Sequence, residues 1–187
     1  MKTLFYLLLS FSSVFSFNLR PVPWVTEQAI VFLESYFQTH SNPKILEFGA
    51  GSSTVWFAKR TNRLTSVEHD PKWFNFVKET IENDEDANPV NLLLLKRPYY
   101  TVCDSFDSET FDFILVDGRN RKGCIANCIR CLKKGGILML DNSERSYYHQ
   151  VYHLMKGWKF FDTEQKKPDS CNFWYRGWKT SWWIKPE

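Results

Sequence analysis

The stretch Ile45–Lys59, "ILEFGAGSSTVWFAK", decides the fold, because a short apolar segment runs directly into a Gly-Ala-Gly turn. Small hydroxyl residues follow the turn, and an apolar segment with helical character comes next. Glycines allow a backbone to turn tightly and to approach a ligand closely. A strand, a glycine turn and a helix in this order predict a nucleotide-type binding site at the carboxyl end of a parallel strand.

The rest of the chain repeats this order of strands and helices. Apolar segments predict strands at residues 44–48, 64–68, 90–95, 111–116, 137–140, 158–161 and 179–184. Helices are expected after a Thr26 cap, at 54–59, from Pro71 onward, at 122–132 (ended by Gly135–Gly136) and at 146–155. Short strands alternating with helices predict an α/β fold, in which a doubly wound, mostly parallel sheet has helices on both faces.

Composition limits the classes of protein to consider. The 187 residues suit one domain with its own core, and 43% hydrophobic and 17% aromatic residues exclude a disordered chain. The formal net charge of +3 is small and dispersed, and no block of Lys and Arg or finger-like Cys/His spacing is present. We therefore expect no nucleic-acid partner.

The first residues, "MKTLFYLLLSFSSVFSFN", have the pattern of a secretory signal. Val14 and Ser16 suit a cleavage site after Ser16, so we expect a signal-like segment at 1–16 and a single domain at 17–187. A buried helix or an uncleaved anchor is the alternative, but the apolar segment is short for a membrane span. The protein would enter the secretory pathway if the signal is used, and would otherwise be cytoplasmic.

The cysteines give no strong support for an oxidising compartment. Their number is odd, so at least one thiol is left over in any disulfide scheme; they are Cys103, Cys124, Cys128, Cys131 and Cys171. The middle three share one helix face, and buried core thiols explain that spacing better than a zinc site, since no further ligand pair completes one.

The residues around the turn indicate which ligand it binds. A dinucleotide fingerprint has a third glycine where this chain has Thr54. Glu47 before the turn would repel a pyrophosphate and attract a cation such as a sulfonium. Glu68 follows Gly49 by about 20 residues, the spacing for an acidic residue that accepts hydrogen bonds from a ribose. A solvated strand end is the alternative for Glu68.

Four segments in order resemble the motifs of Rossmann-like (class I) S-adenosylmethionine-dependent methyltransferases. They are "ILEFGAGSSTVWFA", "LTSVEHDPKWF", "FDFILVDGRNRKGCI" and "LKKGGILMLDNSER", between about Lys44 and Ser146. The resemblance implies a seven-stranded sheet of order 3-2-1-4-5-7-6 with the last strand antiparallel. It implies S-adenosylmethionine as cofactor, with a binding set of Glu47, Gly49, Ala50, Gly51, Ser53, Glu68, His69 and Asp117.

The ends of the fourth and fifth strands are expected to carry the chemistry, with Asp117, Asp141 and Arg119 as catalytic candidates. "VD" and "LDN" are also similar to catechol and caffeoyl-CoA O-methyltransferases, which implies a metal site of Asp117, Asp141 and Asn142 for Mg²⁺ or Ca²⁺. The Gly-Arg that follows Asp117 departs from that pattern and places a cation there. Without a metal, Asp117 or Asp141 would act as general base.

Other side chains near these strand ends are candidates for contacting the substrate. Arg119 and Arg121 would clamp an anionic group of the substrate, or else pair with nearby carboxylates. His149 is a possible proton acceptor, although a surface histidine is favoured. In the C-terminal "NFWYRGWKTSWW" we expect core packing for half of the rings, and a substrate wall from the Arg and Trp residues before Lys179.

The sequence therefore predicts an S-adenosylmethionine-dependent methyltransferase acting on an oxygen of a small-molecule or carbohydrate-like acceptor. An NAD-dependent oxidoreductase on a similar sheet is one alternative, which Thr54 and Glu47 disfavour. A non-catalytic exported binding module with the same fold is the other. The sequence does not indicate an oligomeric state.

Overall fold

The computed structural model describes residues 19–20, 22–166 and 177–187. The signal-like segment 1–16, Cys171 and much of the aromatic segment before Lys179 lie outside these ranges. In the described part the strands are β1 Ile45–Phe48, β2 Leu64–Glu68, β3 Asn91–Leu94, β4 Phe111–Val116, β5 Leu132–Asp141, β6 Lys159–Gln165 and β7 Trp178–Ile184. The α-helices are α1 Glu27–Thr39, α2 Ser52–Ala58, α3 Pro71–Glu82 and α4 Arg121–Cys128. Three 3₁₀ segments span Tyr99–Ser105, Ile129–Cys131 and Ser146–Met155.

The strands form one seven-stranded sheet of order β3-β2-β1-β4-β5-β7-β6. Neighbours from β3 to β5 pair in parallel, whereas β7 runs antiparallel to both β5 and β6. This confirms the predicted fold class, including the strand order and the reversed last strand.

Both faces of the sheet are covered, which explains why the central strands are almost wholly apolar. One core layer contains Phe48, Tyr99 and Ile125, and the opposite layer contains Leu33 and Phe113. The edge strand β3 is only half-buried. In the described ranges no helix is long and apolar enough to cross a bilayer.

The fourth helix and fifth strand differ from the prediction. The helix ends at Cys128, and β5 begins at Leu132, so that Gly135 and its neighbouring glycine lie inside the strand rather than after a helix. Leu132 already pairs with Phe111 of β4, and the pairing shifts register before it resumes. The Gly135 N–H donates to the Lys185 carbonyl at 2.9 Å. The irregular part of β5 therefore also hydrogen-bonds to the chain just after β7.

The predicted burial of the cysteines is confirmed for the described residues, although Cys131 lies in the 3₁₀ segment after α4 and not on that helix. Cys103, Cys124, Cys128 and Cys131 are free thiols buried in the core. Burial raises the pKa of Cys103 and of Cys124 to about 12, so these thiols remain protonated near neutral pH.

Candidate active site at the carboxyl ends of the strands

The carboxyl ends of β1, β2, β4 and β5 open into one cleft of about 1240 Å³. Parallel strands bring their carboxyl ends to the same edge of the sheet, which is why residues far apart in sequence meet here. All the predicted cofactor residues except Glu47 line this cleft, as do Arg119, Asp141 and Asn142. His149 is exposed and does not line it, in agreement with the surface role favoured above.

Gly49 makes the turn after β1 possible. Its φ is +98°, a left-handed conformation that favours glycine, and its N–H donates to the Val67 carbonyl at 2.8 Å. A Cβ at this position would lie 2.6 Å from the backbone of Gly118. The loops after β1 and β4 are therefore in direct backbone contact, and the cleft floor depends on the missing side chain.

Glu47 lies beneath the turn instead of facing the cleft. Its Oε2 accepts a hydrogen bond from Thr54 Oγ1 at 2.6 Å and another from Ser66 Oγ. Its Oε1 is buried and has no hydrogen-bond partner among the described residues. Burial raises the pKa of Glu47 to about 7. Direct contact between this carboxyl and a ligand remains a prediction.

Glu47 makes the stability of the unliganded protein pH-dependent. The folded state binds a proton that the unfolded state releases, so stability should fall as pH rises from about 4.5 to about 7. The loss attributable to Glu47 is about 3 kcal/mol. Urea denaturation at a series of pH values measures it.

The matched control for this titration is Glu47→Gln, which keeps an oxygen for Thr54 and Ser66. Asp117 and Asp141 also have raised pKa values and contribute with the same sign, so the Glu47 share is the difference between the parent and Glu47→Gln. Identical pH slopes in the two proteins would contradict the assignment.

Glu68 is the last residue of β2, and one of its two carboxylate oxygens accepts hydrogen bonds. Oε1 accepts from the backbone N–H of His69 at 2.6 Å and of Asp70 at 2.8 Å, and lies 2.7 Å from His69 Nδ1. Oε2 accepts no hydrogen bond from the described residues, and the side chain lines the cleft. One oxygen thus fixes the carboxylate while the other is available for the hydroxyls of a ribose.

Glu68→Ala is expected to weaken binding of S-adenosylmethionine by about 2 kcal/mol, or roughly 30-fold, through loss of a charge-assisted hydrogen bond. Isothermal titration calorimetry measures the change. Glu68→Gln is the control, because its amide oxygen can still accept from the His69 and Asp70 amides; it should bind with intermediate affinity. Parent-like affinity of the Ala variant would show that Glu68 does not hold the ribose.

Asp117 and Asp141, at the ends of β4 and β5, share one buried arginine. Arg121 Nη2 lies 2.9 Å from Asp117 Oδ1, and Arg121 Nη1 lies 3.8 Å from Asp141 Oδ2. The side chains of Arg121 and Asp141 are 7% and 2% exposed, whereas that of Asp117 is 21% exposed. Burial raises the pKa of both carboxyls, and Arg121 opposes that shift.

Two side chains of β7 donate hydrogen bonds to Asp141, a contact that the sequence did not predict. Its Oδ1 accepts from Trp178 Nε1 at 2.8 Å and from Thr180 Oγ1 at 2.9 Å. Trp178 is therefore a buried support for Asp141 and not part of a substrate wall. Both proposed bases line the cleft, but the side chain of Asp117 is 21% exposed and that of Asp141 only 2%. No sequence signal pairs Asp141 with Trp178, because 37 residues separate them.

The predicted metal ligands do not fit a divalent cation. Asp141 Oδ1 already accepts two hydrogen bonds, and the Arg121 guanidinium lies 2.9 Å from Asp117 Oδ1 and 3.8 Å from Asp141 Oδ2. A positive side chain in that place repels a metal ion. The described residues contain no group of three or more His, Cys, Asp or Glu arranged to hold a metal.

The two arginines of "DGRNR" have different environments. Arg121 is buried, whereas Arg119 is exposed at the mouth of the cleft. The Tyr99 hydroxyl donates to the Arg119 carbonyl and holds its backbone. Arg119, Arg97 and Arg20 line the cleft and form no ion pair with any described carboxylate.

A family model described as a methyltransferase domain matches residues 46–143, which is more than half of the chain. The match includes the glycine turn and the ends of β4 and β5. The sequence matches no curated protein significantly.

Solved structures share the fold at low identity. The O-methyltransferase TomG from Streptomyces achromogenes, in complex with S-adenosylmethionine, is 15% identical, with a TM-score of 0.67 over 86% of this chain and 81% of that chain. An O-methyltransferase from Bacillus cereus bound to S-adenosylhomocysteine is 20% identical, with a TM-score of 0.65 over 88% and 84%. A precorrin 8w decarboxylase from Methanobacterium thermoautotrophicum is 15% identical, with a TM-score of 0.64 over 89% and 96%.

Proposed function

This chain belongs to the S-adenosylmethionine-dependent methyltransferase-domain family, and on that premise we propose that it methylates a hydroxyl oxygen of a small-molecule or carbohydrate-like acceptor that carries an anionic group. The observation that carries the proposal is a partly exposed carboxylate, Asp117, beside an exposed arginine, Arg119, in the same cleft as the glycine turn.

The described residues fit the cofactor. The backbone of Gly49–Gly51 offers a close surface at the end of β1, and Glu68 Oε2 is an acceptor for ribose hydroxyls. The Trp73 indole donates to the Ala50 carbonyl at 2.6 Å, so an aromatic ring flanks the turn. When bound, S-adenosylmethionine supplies a methyl carbon attached to a sulfonium.

The carboxylate of Asp117 suits an oxygen nucleophile. A neutral hydroxyl becomes an effective nucleophile as its proton is removed, and Asp117 is the acceptor that we assign for that proton. The acceptor oxygen bonds to the methyl carbon while the carbon–sulfur bond breaks, which leaves a neutral thioether and a protonated Asp117. Burial raises the pKa of Asp117, so this carboxyl holds a transferred proton more readily than an exposed one.

The charge of the cleft indicates what else the acceptor carries. Asp117 and Asp141 are paired with Arg121, and Asp70 caps α3 by accepting from Lys72 N and Trp73 N. The rim arginines Arg119, Arg97 and Arg20 have no carboxylate partner in the described part of the chain. This rim attracts a carboxylate or phosphate and disfavours an ammonium acceptor.

Two experiments test the proposal in sequence. Calorimetry with S-adenosylmethionine, S-adenosylhomocysteine and NAD should show binding of the first two only. Methyl transfer from a radiolabelled cofactor is then screened on pairs of hydroxyl compounds that differ by one carboxylate or phosphate, with matched amines as a third arm. We expect the anionic hydroxyl compounds to react fastest. Activity restricted to the amines would exclude O-methylation.

The oxidoreductase alternative has one feature to test, since Tyr152 and Lys156 have the Tyr-x-x-x-Lys spacing of some NAD enzymes. Tyr152 instead packs against Trp183, with ring centroids 4.9 Å apart, and its hydroxyl donates to the Ser143 carbonyl at 3.3 Å. Neither residue lines the cleft. The pair is therefore not placed to act on a ligand bound at the glycine turn.

A further inference from the structure

We propose that Arg121 is a built-in cation that takes the place of a divalent metal ion between the ends of β4 and β5, so that methyl transfer by this protein is metal-independent. The inference concerns the residues around Asp117 and Asp141 and does not depend on which acceptor the protein uses.

The guanidinium of Arg121 is surrounded by oxygen atoms. Nη2 donates to the Asp117 carbonyl and to Asp117 Oδ1, both at 2.9 Å. Nε donates to the Gly118 carbonyl at 2.9 Å, and Nη1 donates to the Asp141 carbonyl. Nη1 also lies 3.8 Å from Asp141 Oδ2. The arginine therefore binds backbone and carboxylate oxygens from both strand ends.

Carboxylate and carbonyl oxygens are also the ligands that Mg²⁺, Ca²⁺ and Mn²⁺ prefer. The planar guanidinium satisfies several of them at fixed angles and keeps its charge at any accessible pH. Two carboxylates without a nearby cation would repel each other in this buried position. Arg121 thus supplies the positive charge that the site requires, in a form that cannot dissociate.

The backbone around Arg121 directs this side chain inward. Asn120, the N-cap of α4, has a φ of +52°, and Arg121 follows as the first residue of the helix. The guanidinium also lies 5.7 Å from the centre of the Tyr148 ring, and both side chains line the cleft. Arg121 Nη2 fixes Asp117 Oδ1 at 2.9 Å, and the side chain that it fixes lines the cleft. We therefore regard Arg121 as a positioning residue for Asp117.

The experiment removes the arginine and asks whether a metal ion replaces it. Arg121→Ala should melt roughly 10 °C below the wild-type protein, because two buried carboxylates lose their partner. Millimolar Mg²⁺, Ca²⁺ or Mn²⁺ should recover part of that loss and should leave the melting temperature of the wild type unchanged. Adding Asp141→Asn to Arg121→Ala should abolish the metal response. A strong chelator should not change the wild-type rate of methyl transfer.

Arg130→Ala is the matched control. Arg130 also donates to backbone carbonyls, those of Cys103 and Phe106, but its nearest carboxylate, on Asp104, is exposed and 3.9 Å away. Its removal should lower the melting temperature without creating any response to metal ions. A rise in melting temperature on adding metal ions therefore distinguishes the loss of a cation that a metal can replace from a general loss of packing.

Two results would overturn the proposal. One is saturable Mn²⁺ binding to the wild type, seen by electron paramagnetic resonance and lost in Asp117→Asn. The other is a folded Arg121→Ala variant that no divalent ion stabilises. If Arg121→Ala does not fold, the wild-type Mn²⁺ titration decides alone, and absence of binding supports the proposal.

Discussion

Asp117→Asn is expected to lower the rate of methyl transfer roughly 100-fold or more, because the variant cannot accept the proton of the acceptor hydroxyl. The amide oxygen can still accept from Arg121, so the strand end should keep its geometry. The measurement is a single-turnover rate with the best acceptor from the screen. The wild-type rate should rise with pH, because the base must be deprotonated to act, and burial raises the pKa of Asp117. In the variant that rise should be absent.

Asp112→Asn is the control for this substitution, since Asp112 lies near the opposite end of β4 and pairs with Lys133 at 2.6 Å. Its rate should stay within a factor of about two of the wild type, as for a partly exposed surface pair. A wild-type pH profile retained in Asp117→Asn would assign the base to another residue.

Gly49→Ala is expected to destabilise the protein by about 4 kcal/mol, the sum of backbone strain at positive φ and overpacking against Gly118. That is a large part of the stability of an ordinary domain. The affinity for S-adenosylmethionine should also fall, because the loops after β1 and β4 must separate to make room for the alanine side chain. Urea denaturation measures the stability and calorimetry measures the binding.

Gly157→Ala separates the cost of backbone strain from the cost of overpacking. Gly157 has a φ of +85°, similar to that of Gly49, but an added Cβ would meet no atom within 4 Å. Its substitution should cost about 1 kcal/mol from backbone strain alone and leave cofactor binding unchanged. Equal losses in the two variants would show that contact with Gly118 is unimportant.

Most of the fold was predictable because its signals are local. The apolar strands, the glycine turn and the proline that opens α3 lie in short segments whose pattern depends on neighbouring residues. The wrong predictions concern segments whose structure depends on residues far away in the sequence. The expected helix 122–132 stopped early because Leu132 pairs with β4, and Gly135 bonds to the chain near its C-terminus.

The candidate site was predictable in its position and in most of its residues. Glu68 and Asp117 end parallel strands, and strand ends meet wherever such a sheet forms. The direction of each side chain was not predictable. Glu47 has its carboxyl beneath the turn, and Trp178 supports Asp141 instead of contacting a substrate.

The sequence by itself determined the order of the elements, the family and the edge of the sheet at which the cleft opens, since these follow from local pattern and spacing. Only the tertiary structure decided that Arg121 is buried against two carboxylates while Arg119, two residues earlier, is exposed at the mouth of the cleft. The reason is physical. The environment of a charge depends on which strands and helices surround it, and these come from β4, β5 and β7, far apart in the chain.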